Sequence, residues 1–301
     1  MKRSVLLGIL LAVGSLSMAA SQAAQPAGPR VIDIQKLKDN LYVLTSSTPG
    51  NAATFSGGNV AVFITDAGVT LVDTKLAGWG QAVLDKVKSV TNKPITTIIN
   101  THTHGDHTGN DGFFGTTVEI VAQENTKTNM EKMDAFKGDN AKFLPKKTYK
   151  DKLTLGSGKD RIDLYYFGRG HTNGDAWIVF PELRVAHAGD IFSGKNLPLL
   201  DMNNGGSGIE IGDSLARAHA GIKNVDTIIT GHSTLMPWAD LAEYAQFNKD
   251  FLASVRAAAM GGQGADAVAG TWKVADKYKG YTIQEARLKT NVQSLYRELG
   301  K

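Results

Sequence analysis

Three imidazoles and a carboxylate, His102, His104, Asp106 and His107, fall within six positions of the stretch Asn100-Thr-His-Thr-His-Gly-Asp-His-Thr-Gly-Asn110. The whole chain holds only seven histidines, so this density is not that of an ordinary polar loop. Imidazole and carboxylate are the ligands that borderline divalent cations prefer, with zinc their commonest user. Three later positions share one grammar. His171, Asp190 and His232 each follow a glycine just past an apolar run, in Gly168-Arg-Gly-His171, His187-Ala-Gly-Asp190 and Thr230-Gly-His232. Functional side chains gather on loops held at one edge of a rigid scaffold. The four stretches together therefore predict a single metal site.

The elements that must position these residues are legible from apolar spacing. Residues 94–99 form a β-branched run that reads as a buried strand, and Gly105, Thr108 and Gly109 allow a tight turn into a short helix behind it. Further strands are predicted over 31–37, 41–45, 59–64, 69–73, 118–121, 153–155, 161–167, 176–180, 184–188 and 225–230. Helical spacing marks 78–90, 123–133, 213–222, 238–260 and 282–299. Residues 46–58 and 196–212 read as Gly/Asn-rich loops, 136–147 as a charged connection, and 261–270 as a Gly/Ala linker. Two runs of strands are each followed by helices. That order predicts a mixed α/β (α+β) fold, two mixed sheets packed face to face with helices outside. A doubly wound parallel sheet would need a strand–helix alternation that the first strands lack.

The N-terminus stands apart. Lys2 and Arg3 precede a short apolar run, and Ser21-Gln22-Ala23 offers small residues where a signal peptidase cuts. Residues 1–23 therefore read as a signal peptide, 24–30 as a flexible tether, and 31–301 as one domain. Export places the protein in the periplasm or outside the cell. The apolar run is too short to span a bilayer comfortably, and no later run is longer, so no membrane association is expected after cleavage. With no cysteine, no disulfide can hold an exported fold, and thiolate is removed from the list of ligands and nucleophiles. The formal charge is +4, two units of which leave with Lys2 and Arg3, and no basic footprint for nucleic acid remains.

The tandem His-X-His-X-Asp-His, followed in order by Gly-His-Thr, Gly-Asp and Gly-His, resembles the metallo-β-lactamase fold superfamily. The resemblance runs from about residue 31 to 235. It implies a four-layer αββα sandwich with a dinuclear metal site at one sheet edge. It assigns His102, His104 and His171 to a first zinc, Asp106, His107 and His232 to a second, and Asp190 to a bridge between them; another divalent metal would fit the same ligands. Asp73 matches the buried aspartate that braces the metal loop.

The chemistry implied is hydrolysis of a small molecule, with a water shared by two dications attacking an activated or cyclic carbonyl. Asp106 is both ligand and catalytic residue, orienting the nucleophile. Lys195 is placed to bind a substrate carboxylate, with Ser193 and Asn173 as weaker candidates. Phe55 is the aromatic best suited to wall the cleft, whereas Trp79 and Phe113 read as core. His187 and His219 are read as structural. A β-lactam is the first substrate expected. Aspartate rather than serine or cysteine at position 190 keeps lactones and thioesters of the glyoxalase II type as the alternative, and a mononuclear iron oxygenase as a further one.

Overall fold

The computed structural model describes residues 32–46 and 55–301. The leader and tether expected over 1–30, and most of the loop expected over 46–58, lie outside the described residues.

A seven-stranded sheet, buried on both faces at β3 and β4, is built from β1 (Ile32–Lys38), β2 (Leu41–Ser46), β3 (Val60–Ile64), β4 (Val69–Val72), β5 (Ile95–Ile99), β6 (Glu119–Gln123) and β7 (Lys147–Tyr149), in chain order. The first four pair antiparallel and β4 to β7 pair parallel. A six-stranded sheet follows: β8 (Lys152–Leu155), β9 (Ile162–Tyr166), β10 (Ala176–Phe180), β11 (Val185–Gly189), β12 (Thr227–Thr230) and β13 (Met236–Pro237). Among the described residues the α-helices are α1 (Gly80–Lys88), α2 (Gly105–Thr108), α3 (Glu124–Met130), α4 (Ile211–Gly221), α5 (Asp240–Met260), α6 (Ala265–Thr271) and α7 (Glu285–Glu298).

Alternation along the strands assigns each face. Leu41, Val43, Ala61, Phe63 and Val72 point to the second sheet and meet Leu164, Ile178, Phe180 and Val185 there. Their neighbours Leu44, Val60, Val62 and Leu71 point outward, onto Val83 and Val87 of α1. On the far side Trp177, Val179, Ala186 and Ile228 pack under Leu215 of α4, Phe251 of α5 and Val292 of α7. The result is the αββα sandwich expected. Burying each such side chain contributes about 1.5–3 kcal/mol, so three apolar layers hold the fold without disulfides.

Two expectations need correction. Residues 261–270 are not simply a linker, because α6 occupies Ala265–Thr271. Its glycines fall at the N-cap and near the C-terminus, while Ala265, Val268 and Ala269 keep helical spacing and pack into the outer core. The connection over 136–147 ends in the edge strand β7. Three residues are too few for any periodicity to show.

Topology explains why the site residues meet. β9 and β11 are both antiparallel to β10, so they run in one direction, and β12 runs parallel to β11. The C-terminal ends of β9, β11 and β12 therefore share one sheet edge, and the turns carrying His171, Asp190 and His232 leave from it.

Candidate metal centre

The His-rich turn is built on a buried carboxylate. Asp73 follows β4 with a left-handed backbone (φ 67°), and its N–H donates to Ile99 O at 2.9 Å, which pins it beside the end of β5. Its carboxylate accepts from Thr101 N at 2.8 Å, Thr101 Oγ1 at 2.8 Å and His107 Nδ1 at 2.7 Å. One side chain thus sets both the turn and the His107 ring. Gly58 packs against that ring so closely that a Cβ there would overlap it. The two sheets are tied across the site by Asn59, whose Nδ2 donates to Thr230 O and Ser233 O, both at 2.8 Å. Asp175 steadies the His171 turn, its carboxylate accepting from Thr172 N at 3.0 Å and Thr172 Oγ1 at 2.6 Å.

The structure brings all seven expected ligands together, in two groups. His102, His104, His171 and Asp190 form one, Asp106, His107 and His232 the other, and within each the donor atoms lie no more than 4.8 Å apart. The carboxylate of Asp190 faces both. Its Oδ1 is 3.3 Å from His107 Nε2, and its Oδ2 is 3.1 Å from His232 Nε2 and 3.8 Å from His171 Nε2. Asp106 Oδ2 is 3.2 Å from His232 Nε2 and 3.7 Å from His107 Nε2.

Hydrogen bonding decides which ring nitrogens carry lone pairs. His171 Nδ1 donates to Leu199 O, which leaves Nε2 unprotonated. His104 Nε2 donates to Asp201 Oδ2 at 2.6 Å, which leaves Nδ1. The Thr101 hydroxyl donates to Asp73, so it accepts from His102 Nδ1 at 3.0 Å, and His102 Nε2 is buried with no partner. His171 Nε2 and His104 Nδ1 then face each other at 3.0 Å, two lone pairs that repel unless a cation lies between them. A tetrahedral zinc with bonds of about 2.0–2.1 Å separates its ligands by about 3.3–3.4 Å, close to the spacings seen here. The residues fit divalent cations.

Electrostatics divides the two groups. Burial pushes His102 well below the ordinary imidazole range and His171 down to about 4, so both keep free lone pairs at neutral pH. Burial would do the same to His232, but Asp190 and Asp106 outweigh it and hold the ring up to about 9. His107, also buried, is raised by Asp106, Asp190 and Asp73. Despite its own burial, Asp106 is held down to about 2 by His107 and His232. Protons and dications therefore compete for the second group far more than for the first.

A cleft of about 420 Å³ opens onto this centre, lined by Phe55, His104, Asp106, Asp190, Ser193, Asn196, Leu199, His232, Ser233 and Arg287 among others. The Phe55 ring centroid is 5.5 Å from that of His232, so Phe55 does form a wall. Trp79 packs partly buried against α1, and Phe113 lines a separate cavity with Met133 and Phe143. His187 is buried within hydrogen-bond reach of Asn59 O, and His219 stacks on Trp238. Both lie outside the two groups.

The expected substrate contacts separate. Ser193 lines the cleft. Lys195 does not reach it, being paired with Asp240 and Glu243, each at 3.2 Å. Asn173 is likewise engaged elsewhere, its Oδ1 accepting from Asn129 Nδ2 at 2.7 Å. Asp201 and Arg287 were missed, since each stands far from any histidine in sequence and neither has a local signature. A carboxylate in the Gly/Asn-rich 196–212 loop was the one available hint of Asp201.

Residues 53–232, more than half of the chain, match the family model of the metallo-β-lactamase superfamily. The metallo-β-lactamase type 2 of Elizabethkingia meningoseptica is 26% identical over 240 residues, covering 77% of this chain and 88% of that protein. Metallo-β-lactamase IND-1 of Chryseobacterium indologenes is 25% identical over 157 residues, 51% of this chain and 62% of that one. Among solved structures, DIM-1 metallo-β-lactamase exposed to ceftazidime superposes with a TM-score of 0.60 at 20% identity, over 74% of this chain and 98% of that chain. A metallo-β-lactamase from Pontibacter korlensis gives 0.61 at 17% identity, over 73% and 99%. These structural likenesses speak to the fold, and the family match speaks to the chain itself. It belongs to the metallo-β-lactamase superfamily and is a metal-dependent hydrolase.

Proposed function

We propose that the chain is an exported, dinuclear zinc hydrolase that opens β-lactam amides. The observation that carries this reading is the pair of converging donor groups sharing Asp190 at the floor of one cleft. His102, His104 and His171 would hold one zinc, Asp106, His107 and His232 the other, with Asp190 between them. When bound, such a pair polarises a carbonyl and acidifies water. The chain's own residues do the rest. Asp106 lines the cleft and belongs to the second donor group, so its carboxylate can accept a hydrogen bond from the attacking water and aim its oxygen. Asp73 and Asp201 lock the His107 and His104 rings so that their free nitrogens converge. Phe55 shields the His232 side of the cleft from bulk water.

Export rests on the leader-like residues 1–23. Among the described residues, no helix is long and apolar enough to cross a membrane. A second reading, hydrolysis of a lactone or thioester, is favoured by Asp190 itself, a carboxylate facing both donor groups where no cysteine is available.

The test is metal content of the purified mature protein, with turnover of nitrocefin before and after chelation. Two zincs with chelator-sensitive turnover support the β-lactam reading. Two zincs with turnover of a lactone or thioester alone support the second. A single iron overturns both.

A further inference from the structure

The cleft contains a cation the sequence did not single out. Arg287 stands in the first turn of α7 and lines the cleft with Ser193, Asn196, Ser233 and Thr282. Its Nη1 donates to Leu197 O at 3.2 Å and to Asn196 Oδ1 at 3.5 Å. Among the described residues, Nε and Nη2 have no hydrogen-bond partner, and no carboxylate pairs with the guanidinium.

Other arginines show what that edge is for. Arg169 turns Nε and Nη2 onto one oxygen of Glu210, and Arg161 and Arg184 turn the same pair onto both oxygens of Asp163 and Asp226. This is the forked geometry that matches a planar carboxylate. Arg287 presents the same edge without a protein partner. Its position makes this costly, because the first turn of a helix repels a cation. The other nearby cation, Lys195, is already neutralised by Asp240 and Glu243.

The guanidinium is also held in place. Thr282 N donates to Lys195 O at 3.0 Å, and Asn291 Nδ2 donates to Pro198 O at 2.7 Å, so the start of α7 is tied to the loop that edges the cleft. Leu288, the next residue, is buried in the outer core. Little ordering is left to be lost when a ligand binds. This helix lies beyond the 53–232 segment that matches the family, so the feature belongs to the chain's C-terminal part.

We propose that Arg287 is the residue that selects substrate in this cleft, taking through Nε and Nη2 a carboxylate carried by the acyl substrate. The substrate class is then an anionic acyl compound, whose scissile carbonyl lies over the donor groups while its carboxylate reaches α7. The position of that carbonyl rests on the hydrolase reading; the anion subsite itself does not.

The test separates the two. The zinc-loaded protein and its Arg287→Gln and Arg287→Lys variants, matched for zinc content, are titrated calorimetrically with benzylsuccinate, which has a second carboxylate, and with 3-phenylpropionate, which has one. Arg287→Gln should weaken benzylsuccinate by about tenfold or more, the worth of a charge-assisted pair, and weaken 3-phenylpropionate much less. Arg287→Lys should fall between, keeping the charge and losing the fork. In turnover, the KM for nitrocefin should rise at least about tenfold more than that for its methyl ester, with the smaller change in kcat. Equal weakening of both acids, or of neither, overturns the subsite. Loss of benzylsuccinate binding in Arg287→Gln, with neither cephalosporin turned over by the parent protein, keeps the subsite and sinks the β-lactam reading.

Discussion

His104 Nε2 lies 2.6 Å from Asp201 Oδ2, across 97 residues of sequence, and this contact selects the nitrogen that His104 offers to a cation. Asp201 is itself fixed, because its Oδ1 accepts from Asn203 N at 3.0 Å and Asn204 N at 3.2 Å. A carboxylate behind a ligating imidazole orients the ring and raises its basicity. Asp201→Asn should therefore lower affinity for the first cation by about 10–100-fold, read by competition with a chromophoric chelator. An unchanged affinity would show that His104 needs no such partner.

The second donor group should answer to pH more steeply than the first. His232 is held up to about 9 and His107 is raised, so a cation must displace their protons. Raising pH towards about 9 should strengthen binding at this group by about tenfold per unit for each proton displaced, with a plateau beyond. With His171 down at about 4 and His102 also depressed, neither of these rings holds a proton for a cation to displace at neutral pH, so binding at the first group should depend on pH less steeply than at the second. Cobalt absorption titrations from weakly acidic pH upward would resolve both. Parallel pH profiles for the two cations would contradict the assignment.

A different buried acid should tilt stability. Burial pushes Asp111 up to about 8, against hydrogen bonds from Thr74 and Asn100. Its folded value exceeds the unfolded one, so the native state keeps a proton that the unfolded chain has lost. Stability should fall as pH rises from about 4 to about 8, by up to about 1.4 kcal/mol for each unit of separation. Asp111→Asn should flatten that slope in urea melts of the cation-free protein. A slope that survives the substitution would assign it to other groups.

Lys195 should prove dispensable for anion recognition. Its ammonium is 3.2 Å from both Asp240 and Glu243, at a partly exposed site. Lys195→Met should cost about 1 kcal/mol or less in stability and leave the calorimetric affinity for benzylsuccinate as it was. A large loss of affinity would return the anion contact to Lys195.

The candidate metal centre was legible because its donor residues announce themselves locally. His102, His104, Asp106 and His107 share one turn, and His171, Asp190 and His232 each sit beside glycine past an apolar strand. Strand periodicity then predicted two sheets with helices outside, and Asp73 stood where its strand ends. These are short-range signals, set by backbone geometry within a few residues.

Only the tertiary structure decided what surrounds those ligands. Asp201 and Arg287 come from a loop and a helix far along the chain, and nothing local distinguishes them from solvated charges. Lys195 resembled a substrate contact until the packing of α5 set Asp240 and Glu243 against it. Helix α6 was hidden because two glycines at its ends outweighed a weak apolar stripe that only a packed neighbour makes decisive. A ligand set is written in sequence because each ligand must leave a strand end in a particular turn. The partner of a charge depends on which distant surfaces the fold presses together, and that is settled by packing alone.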